Sequence, residues 1–159
     1  MRWLFAVLYL GCLSLLPLRL RRRHALRVRQ TEEFLLLLKR IRREISCFSR
    51  PLPEIVRAAD LPALTVAGFF DRENGGDPLV SFLCASPALL LSPEAKELLG
   101  SFFSAAGASM KAEEIGACEY AIGRLDELLT REKTEGANRL RLHSTLIFTG
   151  GLLFLLLVV

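Results

Sequence analysis

The sequence predicts an all-α protein, an antiparallel helical bundle with one apolar anchor helix at each terminus. Two long segments place apolar residues three and four positions apart, the spacing of one helix face, and no long run alternates apolar and polar residues as a half-buried strand does. Uncharged apolar stretches at 3–17 and 144–159 flank the rest of the chain. The sequence thus divides into a membrane anchor at 1–18, a cytoplasmic helical domain at 19–143 and a second anchor at 144–159.

The two apolar stretches are short for membrane-spanning helices, because a helix needs about 20 apolar residues to cross the hydrocarbon layer. Arginines at their edges can reach the membrane surface and the bilayer can thin, so we expect both stretches to cross. A cleaved secretory signal would also start with a basic residue and an apolar stretch, but it needs small residues at its cleavage site and few charges beyond it. The segment 18–23, Leu-Arg-Leu-Arg-Arg-Arg, contains no small residue and four charged ones, so it favours an uncleaved anchor.

Positive charge is concentrated beside the anchors. Residues 31–132 carry 11 Lys and Arg against 16 Asp and Glu, whereas the rest of the chain carries 10 against 1. Because basic segments beside a membrane helix are retained in the cytoplasm, both flanks predict a cytoplasmic central domain and termini that lie outside. The basic residues expected at the membrane interface are Arg19, Arg21, Arg22, Arg23, Arg27, Arg29, Arg139 and Arg141.

These arginines are expected to meet membrane lipids and no nucleic acid. A basic residue near an anionic membrane surface is attracted to it by about 1 kcal/mol. A surface for single-stranded nucleic acid would interleave aromatic side chains for base stacking, whereas the arginine-rich segment 19–29 contains none and directly follows an apolar stretch.

The first long helix is predicted to run without a break from the N-terminal anchor into the domain. No proline or glycine interrupts Leu18 to Ser49, and the helix should end before Pro51, since proline disfavours the helical conformation in the residue before it. Its predicted apolar face consists of Phe34, Leu38, Ile41, Ile45 and Phe48.

The second long helix is predicted to pack antiparallel against the first. The segment 130–141 that follows its apolar part is polar on every side, which predicts a solvated arm supported by the pairs Glu127 with Arg131 and Glu135 with Arg139. Its predicted apolar face consists of Ile115, Cys118, Ile122, Leu125 and Leu129.

Prolines and glycines delimit short helices between the two long ones. We expect helices at 53–59, 62–71 and 78–86. A further helix should begin at Pro93, because Ser92 is a good N-cap and proline suits the first helical position.

No catalytic or metal-binding pattern is evident, so we expect no enzyme and no cofactor. Both histidines, His24 and His143, lie among arginines and are expected to be solvated at the membrane interface. The segment 74–78, Asn-Gly-Gly-Asp-Pro, lacks the Lys-Ser/Thr pair of a phosphate-binding loop and predicts a turn. Four cysteines form no CxxC pair and are expected to be reduced thiols that pack as small apolar side chains: Cys12, Cys47, Cys84 and Cys118.

The order of these features resembles the stage III sporulation protein AB family of endospore-forming Firmicutes. A short anchor is followed by the arginine-rich helix at 19–29 and then by Leu-Leu-Leu-Lys-Arg-Ile-Arg-Arg-Glu-Ile at 36–45. The segment 99–107 and the glycines of the second anchor, Gly150 and Gly151, also fit the family. The residues that match its Glu-Ile step and its Pro-Leu-Pro-Glu motif are Glu44, Ile45, Pro51, Leu52, Pro53 and Glu54.

The chain departs from the family pattern at 106–110. The sequence there is Ala-Gly-Ala-Ser-Met, where the family resemblance leads us to expect a Leu-Gly-x-Ser-Asp step with a glutamine soon after it. The resemblance therefore implies no particular contact through those side chains in this chain.

The resemblance implies a component of the membrane complex that joins the mother cell and the developing forespore, located in the cell membrane on the mother-cell side. It implies a helical domain similar to the cytoplasmic domains of type II secretion platform proteins, and it brings no catalytic residues. The implied partners are other proteins of the sporulation channel complex, including its cytoplasmic secretion-type ATPase.

A non-enzymatic platform subunit is therefore the leading hypothesis, and two alternatives stay open. A membrane-tethered helical regulator would sequester a soluble factor. A membrane-bound enzyme acting on lipid or peptidoglycan precursors would use carboxylates near the interface, and its candidates are Glu113, Glu114, Asp126 and Glu127.

Overall fold

The structure, a computed structural model, describes residues 2–48, 50–71, 77–106 and 111–158, and for 2–18 and most of 137–158 it describes the backbone alone. All regular structure within these ranges is helical, which confirms the predicted all-α class. The six helices are α1 (Arg2–Phe48), α2 (Leu52–Arg57), α3 (Pro62–Val66), α4 (Pro78–Ala85), α5 (Pro93–Ala105) and α6 (Lys111–Val158).

The chain forms two compact units, and both long helices contribute to each. The terminal unit contains Met1–Ala25 and Arg131–Val159, and the central unit contains Leu26–Thr130. Within the described part of the chain, no helix combines the length and the apolar character needed to span a membrane. Most side chains of the two predicted anchors lie outside the described residues, and the anchors stay predictions.

Local signals place most helix boundaries where the sequence predicts them. The first long helix is unbroken and ends before Pro51. Asp77 caps α4 by accepting the N–H of Leu79 at 2.9 Å, and Ser92 caps α5 by accepting the N–H of Ala95 at 3.3 Å. A proline occupies the first turn in each case, where its missing N–H leaves no bond unmade. The predicted turn at 74–78 lies outside the described residues except for its last two positions.

α3 is shorter than the predicted helix at 62–71, because Gly68 ends it. The φ of Gly68 is 81°, a left-handed conformation that other residues rarely adopt. Its N–H donates to the Thr65 carbonyl at 3.0 Å, and the next N–H, of Phe69, donates to the Leu64 carbonyl at 3.0 Å. This pair of bonds closes the helix. Phe69 is fully buried in the core beyond the turn.

The central unit has one hydrophobic core to which all its helices contribute. Its aromatic centre is Phe34 on α1, whose ring lies 5.3 Å from that of Phe69 and 6.0 Å from that of Phe82. Phe103 on α5 continues the cluster at 5.6 Å from Phe82. Edge-to-face and tilted aromatic pairs of this kind add about 0.5–1.5 kcal/mol each beyond the burial of their area.

The predicted apolar faces of α1 and α6 are correct at their centres and wrong at their edges. Phe48, the last residue of α1, is 65 % exposed because it lies beyond the packed part of the helix. Ile115 and Ile122 are only partly buried, since the face that α6 turns to the core is rotated away from them. The residues buried along that face are Cys118, Ala121, Leu125, Leu128 and Leu129.

Within the central unit α1 and α6 run antiparallel, as predicted. Lys111 Nζ donates to the carbonyl oxygen of Ser46 at 3.2 Å, and Arg42 Nη2 lies 2.8 Å from Glu119 Oε1. As the residue number falls along α1 from 46 to 42, the number of its contact on α6 rises from 111 to 119. Only antiparallel helices give this order of contacts.

A buried carboxylate from α1 caps α3. Leu61, the residue before α3, has no side chain that could accept a hydrogen bond from the first turn. Glu33 Oε2 accepts the N–H of Ala63 at 2.8 Å and the N–H of Leu64 at 3.0 Å. Arg29 lies 3.5 Å from the other carboxylate oxygen and balances its charge. Glu33 thus satisfies N–H groups that have no partner within their own helix.

Two further polar side chains of α1 hold the segment before α5. Gln30, which is 2 % exposed, accepts the N–H of Leu90 through Oε1 at 2.8 Å. Arg27 Nε donates to the carbonyl oxygen of the same residue at 2.8 Å. We call Arg27, Gln30 and Glu33 the polar edge of α1, because together they bond to the backbone of the middle segments.

Within the terminal unit α1 and α6 meet at His24. Its Nε2 lies 3.2 Å from the carbonyl oxygen of Glu132 and donates to it when that nitrogen carries the proton. A Cβ on Gly136 would overlap the imidazole, so the glycine leaves the space in which the ring lies. The expectation of a solvated His24 is wrong, because this helix contact half-buries it. The side chain of His143 lies outside the described residues.

One ion pair on α6 differs from the one expected. Arg124 pairs with Glu127 at 2.6 Å, and Arg131 pairs with Glu135 at 3.1 Å. Glu127 therefore meets a base that precedes it, whereas the sequence predicted Arg131 as its partner. The side chain at 139, the predicted partner of Glu135, lies outside the described residues. An exposed ion pair stabilises a protein by only about 0–1 kcal/mol, so a charged residue gains little free energy from one neighbouring partner over another.

Replacing the buried cap should destabilise the central unit. Glu33→Ala is expected to lower the free energy of unfolding by about 2–4 kcal/mol, because it leaves buried N–H groups without the charged acceptor that satisfies them. Glu33→Gln keeps one acceptor oxygen and should cost less. Urea unfolding of the full chain in detergent, followed by circular dichroism, measures both values. Glu97→Ala, an exposed acid on α5, is the control, and equal stability of the control and Glu33→Ala would contradict the capping role.

The contact of His24 with Gly136 should make their substitutions non-additive. Gly136→Ala gains up to about 1 kcal/mol of helix propensity, but in the wild type the new methyl displaces the imidazole and cancels this gain. In a protein that already carries His24→Ala, Gly136→Ala should raise the free energy of unfolding by about 1 kcal/mol. Thermal unfolding of the four variants checks the cycle. Gly123→Ala, where a Cβ meets nothing within 4 Å, should stabilise equally in both backgrounds.

Candidate functional site

A small cleft opens in the central unit where the end of α1 meets the start of α6. Its volume is about 40 Å³. We call it the tip cleft, and its lining residues are Ile45, Leu52, Phe102, Ala105, Ala106, Glu113, Glu114, Ala117 and Cys118.

The tip cleft lies far from the end at which the chain leaves the central unit. Both long helices leave that unit at one end, through Leu26 on α1 and Thr130 on α6, because the helices are antiparallel. The cleft lies beside the last turn of α1, near Ser46. Twenty residues of helix separate Leu26 from Ser46, a distance of about 30 Å at 1.5 Å per residue.

A sharp bend after α1 builds one wall of the cleft. Pro51 has an extended conformation, with φ −66° and ψ 139°, and it turns the chain from α1 into α2. This turn places Leu52, the first residue of α2, at the cleft with Ile45 from α1. Phe102 near the end of α5 and Ala117 on α6 complete the apolar surface.

The residues that resemble the sporulation family motif lie around this bend. Ile45 is buried and Leu52 is half-buried, and both line the cleft. Glu44 Oε2 lies 3.9 Å from Arg50 Nη1. The other motif residues lie on α2 or just before it: Pro53 is half-buried, and Pro51 and Glu54 are exposed.

Carboxylates form the polar side of the cleft. Glu113 is exposed and Glu114 is half-buried, and both belong to the first turn of α6. Negative charge is stabilised at this position by the helix dipole, which explains the residues structurally without reference to a ligand. They also give the rim of an otherwise apolar cleft a negative charge.

Cys118 closes the cleft as a buried thiol. Burial raises the pKa of the Cys118 thiol from its ordinary value of 9.0 to about 11, and the carboxylate of Glu114 acts in the same direction. The thiol is therefore protonated at neutral pH. Cys47 and Cys84 are exposed, which differs from the expectation that they pack as small apolar side chains, whereas Cys118 meets it. Cys12 has its side chain outside the described residues.

The arginines predicted for the membrane interface fall into three groups. Arg27 and Arg29 contact residues of the central unit, Leu90 and Glu33, a role that the sequence did not predict. The side chains at 139 and 141 lie outside the described residues. Four arginines of the terminal unit have exposed side chains: Arg19, Arg21, Arg22 and Arg23.

The carboxylates proposed for an enzyme are not brought together. Glu113 and Asp126 are thirteen residues apart on one helix, α6, which separates them by about 20 Å along its axis. Glu127 pairs with Arg124 at 2.6 Å. No group of three or more His, Cys, Asp or Glu side chains suited to a metal ion occurs among the described residues.

Comparisons with protein-family models, with curated proteins and with solved structures find no match to this chain.

Sequence reasoning found only part of the tip cleft. Ile45, Leu52 and Cys118 were identified as apolar or motif residues, and Glu113 and Glu114 as candidate carboxylates. Ala105 and Ala117 are not singled out by the sequence, because alanine on a helix is equally common on exposed and on buried faces. Ala106 is noted only as part of the family-like segment 99–107.

The three described cysteines should differ in reactivity. With a pKa of about 11, the Cys118 thiol is about one-thousandth thiolate at pH 8, and its burial also keeps the reagent from the sulfur. We expect Cys118 to react with a maleimide at least about tenfold more slowly than the exposed Cys47 or Cys84. Full-length variants that retain one cysteine each, labelled in detergent and measured by mass spectrometry, test this. In guanidinium chloride the rates should converge, and equal rates in the folded protein would contradict the burial of Cys118.

Proposed function

We propose that this chain is a non-enzymatic platform subunit of a sporulation-specific, secretion-like complex between mother cell and forespore. In this role apolar anchors at both ends hold the chain in the cell membrane on the mother-cell side, with both termini outside. The central helical domain lies in the cytoplasm and docks the ATPase of the complex or sibling membrane subunits.

The observation that carries this proposal is the antiparallel arrangement of α1 and α6 in the central unit. Both chain ends leave the unit at one end, and the tip cleft lies about 30 Å away beside the last turn of α1. A domain held at one end and carrying a cleft at the other is suited to presenting that cleft to a partner. The resemblance to the stage III sporulation protein AB family supports the identity of the complex.

The exposed arginines of the terminal unit support the membrane part of the proposal. Arg19, Arg21, Arg22 and Arg23 have exposed side chains and follow the N-terminal apolar stretch directly. Arginines in this position favour anionic lipid headgroups and a cytoplasmic orientation of the domain beyond them.

Co-purification tests the proposed function. A tagged full-length chain, isolated from sporulating cells in mild detergent, is expected to enrich proteins of the sporulation channel complex, including its ATPase. Leu125→Asp places a charge in the core of the central unit and should abolish this enrichment while the protein stays in the membrane fraction, because the anchors are unchanged.

Asp126→Asn, the exposed neighbour of Leu125, is the matched control and should enrich the same partners as the wild type. The proposal fails if the wild-type protein recovers no component of the complex. It also fails if Leu125→Asp recovers them equally well, because docking would then not depend on the folded central domain.

A further inference from the structure

The tip cleft has room for one small apolar group. Its volume of about 40 Å³ accommodates one or two water molecules or the end of one aliphatic side chain. The surface is provided chiefly by Ile45, Leu52, Phe102 and Ala117. Water on such a surface finds few hydrogen-bond partners, so its replacement by an apolar group is favourable.

The charged side chains that line the cleft are acidic. Glu113 and Glu114 are its charged lining residues, and no Lys or Arg belongs to its lining among the described residues. Two basic residues at the same end of the unit lie outside the lining: Arg42 pairs with Glu119 at 2.8 Å, and Lys111 donates to a backbone carbonyl of α1 at 3.2 Å. A ligand that enters the cleft therefore passes two carboxylates.

We infer that the tip cleft binds a basic amphipathic helix of a partner protein, with one apolar side chain in the cleft and a Lys or Arg beside Glu113 and Glu114. Residues three or four positions apart lie on the same face of a helix, so one such segment presents the apolar anchor and the positive charge together. This inference rests on the proposed function, because it specifies the chemistry of the partner that the central unit docks.

The negative charge of the two carboxylates disfavours other occupants of the cleft. A second copy of this chain would bring its own Glu113 and Glu114 to the interface, and like charges at close range cost several kcal/mol. Anionic lipid headgroups and nucleic-acid phosphates carry the same negative sign and are repelled as well. A positively charged protein segment is the occupant that both the apolar surface and the rim favour.

Peptide binding to the full-length chain in nanodiscs of zwitterionic lipid tests this inference. Two fluorescent peptides of equal length carry the same leucines on one helix face, and one has lysines where the other has glutamates. We expect the lysine peptide to bind at least about tenfold more tightly by fluorescence anisotropy, and to weaken as salt is raised. Binding to empty nanodiscs is measured in parallel.

Two substitutions with matched controls assign the binding to the cleft. Ala117→Phe fills the cleft, and Glu113→Lys reverses a charge at its rim, so each should weaken the lysine peptide about tenfold or more. Ala112→Phe and Asp126→Lys make the same changes at exposed positions of α6 outside the cleft and should leave binding unchanged. Circular dichroism and urea midpoints check that all four variants are folded.

The inference is overturned if the glutamate peptide binds as tightly as the lysine peptide, or if Ala117→Phe binds as the wild type does. Equal binding to empty nanodiscs would assign the peptide to lipid, and a cross-linked dimer that Ala117→Phe disrupts would assign the cleft to a second copy. Co-purification of the complex without peptide binding would refute the inference that the cleft binds a basic helix, and it would leave the proposed function standing. Peptide binding without any sporulation partner would refute the proposed function alone.

Discussion

The carboxylate of Glu33 is the contact on which the middle of the structure depends. α3 has five residues and no side-chain cap of its own, and a helix of that length is not stable by itself because its end groups outnumber its internal bonds. Glu33 lies on α1, a long helix that is packed into the hydrophobic core. Its buried oxygens accept hydrogen bonds from the first N–H groups of α3. Gln30 acts in the same way on the segment before α5. The polar edge of α1 thus positions α3 and the segment before α5, and the apolar face beside it contributes to the core that covers them.

The tip cleft is a consequence of the same arrangement. Packing of α6 against the core buries Cys118 and leaves Ala117 at the surface, while the bend at Pro51 brings Leu52 back beside Ile45. The floor of the cleft is therefore continuous with the hydrophobic core, and its shape depends on the position of α1 that also holds the middle segments.

Polar residues beside an apolar helix face were the hardest to assign from the sequence. Arg27, Arg29 and His24 are embedded in an arginine-rich segment, and their pattern is that of a solvated membrane flank. In the structure Arg27 bonds to the backbone at Leu90, Arg29 accompanies a buried carboxylate, and His24 contacts α6 at Glu132. Hydropathy alone does not separate a polar residue that faces water from one that bonds to the backbone of another segment.

The sequence by itself determined the all-α class, the unbroken course of α1 and the starts of α4 and α5. These features depend on signals within a few residues: the conformational limits of proline, the N-cap of Ser92 and the periodicity of apolar side chains. Only the tertiary structure decided which residue caps α3, which glycine admits His24 and which alanines line the tip cleft. The partners in these contacts are 30 residues apart for Glu33 and Ala63 and 108 residues apart for His24 and Glu132. Contacts over such separations depend on how the helices pack, and no local pattern of residues encodes that packing.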